Sequence, residues 1–451
     1  MRDDAVDVTL LTGAQALEML ADGRMSAEDL TRGCLARIEA DEPRVQAWAF
    51  LDGERALQQA RRCDEIRREG RAIGPLHGLP VGVKDIVDTA DMPTENGTAL
   101  HAGRRPWNDA TIVERLRAAG AVILGKTVTT ELATYAAGKT RNPHNPEHTP
   151  GGSSSGSAAA VAAHMVPVAI GTQTNGSVVR PAAFCGVFGY KPTFGWIPRT
   201  GILKQSPPLD QVGFMARSVE DLAVIAEPLV GYDEHDSATR SMARPRLRET
   251  ALQEAPLPPR FAYTQPANWK DAEPQTHEAF DELAECLGEQ AKSFVVPSVL
   301  DGVWDWHRTI MEADLARHYH DEYERGRDQL SESLRGQIER GRIVTAVDYN
   351  NAVQRIEAMN AAFDEVFDRY DAILTAAAAG PAPRGLESTG SPAFCTPWTF
   401  AGMPAVTLPL LTAENGLPMG VQLVGRKGDD ARLLRTAHWL VEHVRGLDNG
   451  N

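Results

Sequence analysis

Two runs of small residues, Gly151 to Ser157 (GGSSSGS) and Gly171 to Ser177 (GTQTNGS), and the lysine of GLPVGVKD, Lys84, are the residues best suited to chemistry in this chain. A serine hydroxyl attacks a carbonyl only when a base takes its proton, and glycine neighbours let backbone N–H groups approach the oxyanion that forms. Serines, a lysine and glycine turns are therefore the parts of an acyl-transfer site. A Gly/Ser run is also the composition of a flexible linker. Here, however, GGSSSGS leads straight into AAAVAAHMVPVAIG, a helix former followed by an apolar strand. GTQTNGS likewise stands between apolar Val166 to Ile170 and an apolar segment ending at Phe184. Both serine runs are expected where strand meets helix, inside a core.

These segments resemble the amidase signature hydrolases, over nearly the whole chain from about the first helix to the C-terminal GLPMGVQLVG. That family carries a lysine in GVKD, a GGSSxGS loop and a GS nucleophile turn followed by a PAAFCG-like segment. Here these are Lys84, Ser153 and Ser177, with PAAFCGVFGYKPTFG from Pro181 to Gly195, and the 24-residue step from Ser153 to Ser177 is the family's own. The resemblance implies a Ser, cis-Ser, Lys triad. Ser177 would attack the carbonyl and Ser153, after a cis peptide to Gly152, would relay its proton to a neutral Lys84. It also implies an oxyanion hole built from the backbone N–H groups of Thr174, Asn175, Gly176 and Ser177. A lysine with an ordinary pKa of about 10.4 is charged at neutral pH and is no base. Burial must depress it, and Val81, Gly82, Val83 and Ile86 around Lys84 predict a desolvated strand end. The competing expectation is a surface lysine paired with Asp85.

The chain departs from the family's commonest nucleophile turn, DTGGSIR. It reads QTNGSVVR, closest to a QTxGSVxRPA subgroup of bacterial amidases, with Gln173 for the acid, Asn175 for a glycine and Arg180 one place later. These changes bear on substrate recognition rather than on the triad. Arg180 is suited to a substrate carboxylate or, the favoured role, to fixing the loop through backbone carbonyls. Ser154 and Trp398 are further candidates for touching substrate or fixing the site.

Other constellations have plainer explanations. His307, His318, His320 and Glu324 match no metal-ligand spacing and are expected on a solvated helix face, so no metal is implied. Cys185 in AAFCGVFG is expected to be an inert core thiol. Trp304, Trp306 and Trp398 either line an apolar pocket or fill the core, and Phe394 and Phe400 are further candidate wall residues. No phosphate-binding glycine loop is present, so no cofactor is expected.

The elements that must position these residues follow from pattern. Residues 10–70 have helical spacing and charge, and from Gly78 to Gly231 strands and helices alternate, which predicts α/β architecture. The resemblance makes this the amidase signature fold, a central mixed sheet covered on both faces by helices. The 451 residues are expected to form one domain: N-terminal helices 1–70, a signature core 71–231, a variable helical funnel 260–370, and the rest of the core 371–451. A formal charge of −15 without basic clusters argues against nucleic acid. Five widely spaced cysteines, an acidic N-terminus and interrupted apolar runs predict neither disulfides, secretion nor a membrane span, hence a cytoplasmic protein.

The expected activity is amidohydrolysis of carboxamides, aryl amides or urethane-like carbamates through an acyl-enzyme on Ser177. The alternative is the glutaminase subunit of a transamidation complex, which the same family contains. The expected partner is a small-molecule amide or carbamate, and the resemblance leaves a homodimer open.

Overall fold

The computed structural model describes residues 7–448, so residues 1–6 of the acidic N-terminal stretch lie outside it. Its centre is an 11-stranded mixed sheet of order β1-β3-β2-β4-β6-β5-β10-β11-β9-β7-β8. The strands are β1 Trp48–Leu51, β2 Pro80–Lys84, β3 Val122–Thr127, β4 Val168–Gln173, β5 Phe188–Lys191, β6 Gln211–Ala216, β7 Phe261–Tyr263, β8 Ala291–Ser293, β9 Ala372–Ala376, β10 Ala405–Thr412 and β11 Pro418–Val424. Helices α1 Gly13–Ala21, α2 Ala27–Val45, α3 Gly53–Arg68, α4 Thr111–Ala118, α5 Ser155–Ala162, α6 Val179–Phe184 and α7 Val219–Ala226 accompany the first six strands.

The two serine runs sit at the ends of a parallel set. β2 pairs in parallel with both β3 and β4. Parallel pairing demands crossovers, here through α4 and α5. Every residue of β2, β3 and β4 is buried, which is why each reads as a continuous apolar run instead of an alternation. The last glycine of the first run has a packing reason. A Cβ on Gly156 would lie 2.2 Å from the Ala47 carbonyl oxygen and 2.3 Å from the Val128 nitrogen. Those atoms are backbone and cannot swing aside. Gly156→Ala is therefore expected to destabilise the fold by about 3 kcal/mol or more, as overpacking against rigid neighbours does. A urea midpoint unchanged from wild type would contradict this.

Beyond α7, the helices α8 Leu247–Ala251, α9 Pro274–Leu287, α10 Val303–His318, α11 His320–Gly326, α12 Glu332–Gly341 and α13 Ala346–Phe367 cover the far half of the sheet, with α14 Thr396–Phe400 and α15 Asp430–Asp448 following. The mainly helical segment 260–370 also holds β7 and β8, which form the sheet edge next to β9. Each is three residues long, too short for an alternating pattern to register. For the same reason the short β1 leaves no signal among the N-terminal helices. Ser218 caps α7, its Oγ accepting the Asp221 N–H at 3.0 Å. Among the described residues no helix is long and apolar enough to cross a membrane.

Candidate active site

Lys84 ends β2 and is fully buried. Its Nζ lies 2.8 Å from Ser153 Oγ and 2.8 Å from Thr172 Oγ1 of β4. No carboxylate of the described residues forms an ion pair with it. Burial pushes its pKa well below the ordinary lysine value, and the charge of Asp210 only partly opposes this. The competing surface pair with Asp85 is not formed. Asp85 faces Lys126 at 3.5 Å, inside the core.

The loop carrying Ser153 is fixed from two sides. The Gly152-Ser153 peptide is cis. Ser154 Oγ donates to the Thr172 carbonyl and accepts the Thr172 N–H, both at 3.2 Å, tying the loop to β4. Arg180, buried on α6, donates to the Gly152 carbonyl at 2.7 Å, to Thr389 Oγ1 at 3.2 Å and to the Gly390 carbonyl at 2.9 Å. Its Nη1 and Nη2 contacts are with the loops, as the loop-fixing role requires.

The second serine run turns from β4 into α6. Gln173 is buried there, its Oε1 accepting the N–H groups of Val178 and Val179 at 2.7 and 3.0 Å, its Nε2 donating to Thr399 Oγ1. The side chain satisfies two orphan donors at the start of α6. Of the three departures in the turn, Asn175 borders a cavity. The carbonyls of the turn are anchored one by one. His307 Nε2–H donates to the Thr174 oxygen at 2.9 Å, Thr399 Oγ1 donates to that of Asn175, and the Arg180 N–H bonds that of Gly176 at 3.0 Å. In a trans peptide the next N–H points opposite to the carbonyl. The N–H groups of Asn175, Gly176 and Ser177 therefore face away from these anchors. Of Lys84, Ser153 and Ser177, only Ser177 is partly exposed.

Two cavities flank this turn. One of about 250 Å³ borders Asn175 and is walled by Tyr135, Trp304, His307, Met311 and Thr396. The other, of about 320 Å³, borders Thr172 and Thr174. Asn175 is itself held, its Nδ2 donating to Tyr135 Oη at 3.1 Å and its Oδ1 accepting from Thr396 at 2.7 Å.

Two expectations are corrected. His307 is not on a solvated face: it is buried, and burial lowers its pKa to about 4, so the neutral ring serves as a donor to the turn. Val303, Ile310 and Met311, four before, three after and four after it on α10, are all buried, and that spacing was the available signal. Trp398, Phe394 and Phe400 are not pocket walls. Trp398 packs edge-on to Phe363, Phe394 meets Trp269, and Phe400 meets Trp306. Of the three tryptophans, Trp304 lines the cavity beside Asn175. Cys185 is buried with its thiol toward the Pro150 carbonyl, and desolvation raises its pKa. Tyr135 was missed because it enters the site from a segment that carries no motif, and Thr172, although inside GTQTNGS, because its bond to Lys84 joins residues 88 apart in sequence.

A family model described as Amidase matches residues 29–434. One subunit of the glutamyl-tRNA(Gln) amidotransferase of Chloroflexus aggregans is 36% identical over 94% of each chain. A solved structure described as a vestigial protein complex that reveals the evolutionary origins of an s-triazine catabolic enzyme superposes with a TM-score of 0.89 at 28% identity, over 96% of this chain and 98% of that one. The native peptide amidase of Stenotrophomonas maltophilia superposes with a TM-score of 0.83 at 29% identity, over 97% of each chain.

Proposed function

This chain belongs to the amidase family of hydrolases acting on C–N bonds, and from that premise we propose that it cleaves carboxamides, aryl amides or carbamates through an acyl-enzyme on Ser177. The observation that carries this reading is the buried Lys84, 2.8 Å from Ser153 Oγ and without a carboxylate partner among the described residues. Such an amine is kept neutral by its surroundings and accepts a proton. Ser177 Oγ attacks the carbonyl carbon, and its proton passes by Ser153 Oγ to Lys84 Nζ. The N–H groups of Asn175, Gly176 and Ser177, with that of Thr174, receive the oxyanion. Collapse breaks the C–N bond, the nitrogen takes the proton back along the same relay, and water repeats the sequence on the ester. A carbamate presents the same carbonyl to the same groups.

A second reading, the glutaminase subunit of a transamidation complex, is favoured by the 36% identity to an amidotransferase subunit. The two separate on one panel: amine or ammonia release by the isolated chain from a primary amide, a neutral aryl amide, an aryl carbamate and glutamine. Turnover of the first three without added protein is the expected result. Turnover confined to glutamine would replace the first reading with the second.

A further inference from the structure

The turn from Thr172 to Ser177 separates two cavities, and the proposed reaction gives each a direction. When the C–N bond breaks, its electron pair goes to nitrogen, and nitrogen takes the proton that left Ser177 by way of Ser153 and Lys84. The amine half must leave on the side of that relay. The acyl half, bonded to Ser177 Oγ with its oxygen under the turn N–H groups, lies on the other. The cavity of about 320 Å³ borders Thr172, whose Oγ1 is bonded to Lys84 Nζ, while the one of about 250 Å³ borders Asn175.

We propose that the cavity bordering Thr172 takes the amine half of the substrate, and that Lys204 and Arg317 on its wall select an amine bearing a carboxylate. This rests on the hydrolase reading above and names its substrate class. Both side chains line the cavity and both are exposed, which puts them at its solvent end. They come from different elements, Lys204 from the loop before β6 and Arg317 from the last turn of α10. Neither forms an ion pair among the described residues. They share one field: after burial itself, the charges of Arg317 and Lys204 both depress the proton affinity of His318, which lines the same cavity. The carboxylates of the same cavity are already engaged. Asp236 lies 2.7 Å from Arg199 Nη2 and 2.9 Å from its Nε. Asp210 faces the turn, accepting Thr174 Oγ1 at 2.7 Å and the N–H groups of Gln205 and Ser206 at 3.0 Å. Asp314, which accepts from Ser206 and Tyr349, feels the charge of Arg317 from the buried side. The exposed side chains Lys204 and Arg317 at the opening are cationic, and the volume suits an amine the size of an aminobenzoate.

The test compares N-benzoyl-4-aminobenzoate with N-benzoyl-4-toluidine, which share an acyl half and differ in carboxylate against methyl on the amine half. The enzymes are wild type and the Lys204→Gln/Arg317→Gln double variant. The ratio of kcat/KM for the two substrates should fall about tenfold from wild type to the variant, through KM, and the wild-type ratio should shrink in high salt. Comparing ratios cancels the difference in leaving-group basicity. An equal ratio in the two proteins would overturn the proposal. If wild type cleaves neither anilide, or cleavage survives Ser177→Ala, the hydrolase reading is what fails. Calorimetric binding of 4-aminobenzoate then decides the proposal: binding by wild type that is lost in the double variant supports it, and equal binding refutes it.

Discussion

Ser177→Ala is expected to lower kcat on any amide this protein cleaves by about 10⁴-fold or more, leaving the fold intact. The size follows from what is removed. A positioned hydroxyl replaces attack by free water, so the loss covers both the nucleophile and the proton path that begins on it. Binding and the turn N–H groups remain, which sets the floor of residual activity. Folding should be nearly unaffected, because Ser177 is partly exposed while the turn is held by Gln173, His307 and Thr399. A thermal midpoint within a few degrees of wild type is the accompanying control. Activity that survives with the midpoint unchanged would place the nucleophile elsewhere.

Lys84→Met should lower kcat/KM by about 10³-fold or more, and Lys84→Arg should not restore it, since a guanidinium stays protonated throughout the working range. Methionine keeps the unbranched volume in a fully buried slot, so the protein should still fold. The pH dependence has a definite sign. The folded-state pKa of Lys84 lies below its unfolded value of about 10.4, so activity rises with pH as the amine loses its proton and falls toward acid. Between the two values the unfolded chain binds the extra proton, so Lys84 also makes stability rise with pH across that window. Urea unfolding followed across the alkaline range should show this slope reduced in Lys84→Met. A rate profile that stays flat into mild acid in wild type would contradict a neutral-lysine base.

The catalytic motifs were legible because each is local. At the second serine run strand, glycine turn and helix follow one another within a few residues, and backbone geometry there depends on residue type more than on distant packing; at the first run the expected strand is corrected, since the chain from Val128 to Ser154 holds only a short 3-10 turn before α5. The roles of the turn's unusual residues were not legible. Gln173 reads as a lost acid next to the nucleophile, yet it spends its carboxamide on the start of α6 and on Thr399, which lies 226 residues away in sequence. The aromatic residues near the C-terminus show the same limit. Trp398 and Phe400 have the composition of a pocket wall, and their neighbours on α10 and α13 make them core.

By itself the sequence determined the α/β alternation, the two serine turns and a lysine at a strand end among apolar residues. Whether that lysine meets Asp85 beside it, or Ser153 and Thr172, 69 and 88 residues on, was decided only by the tertiary structure. The reason is physical. A lysine's proton affinity depends on how completely water is excluded and on which charges remain near it, and both are set by the parallel packing of β2 against β3 and β4, with α5 laid across them.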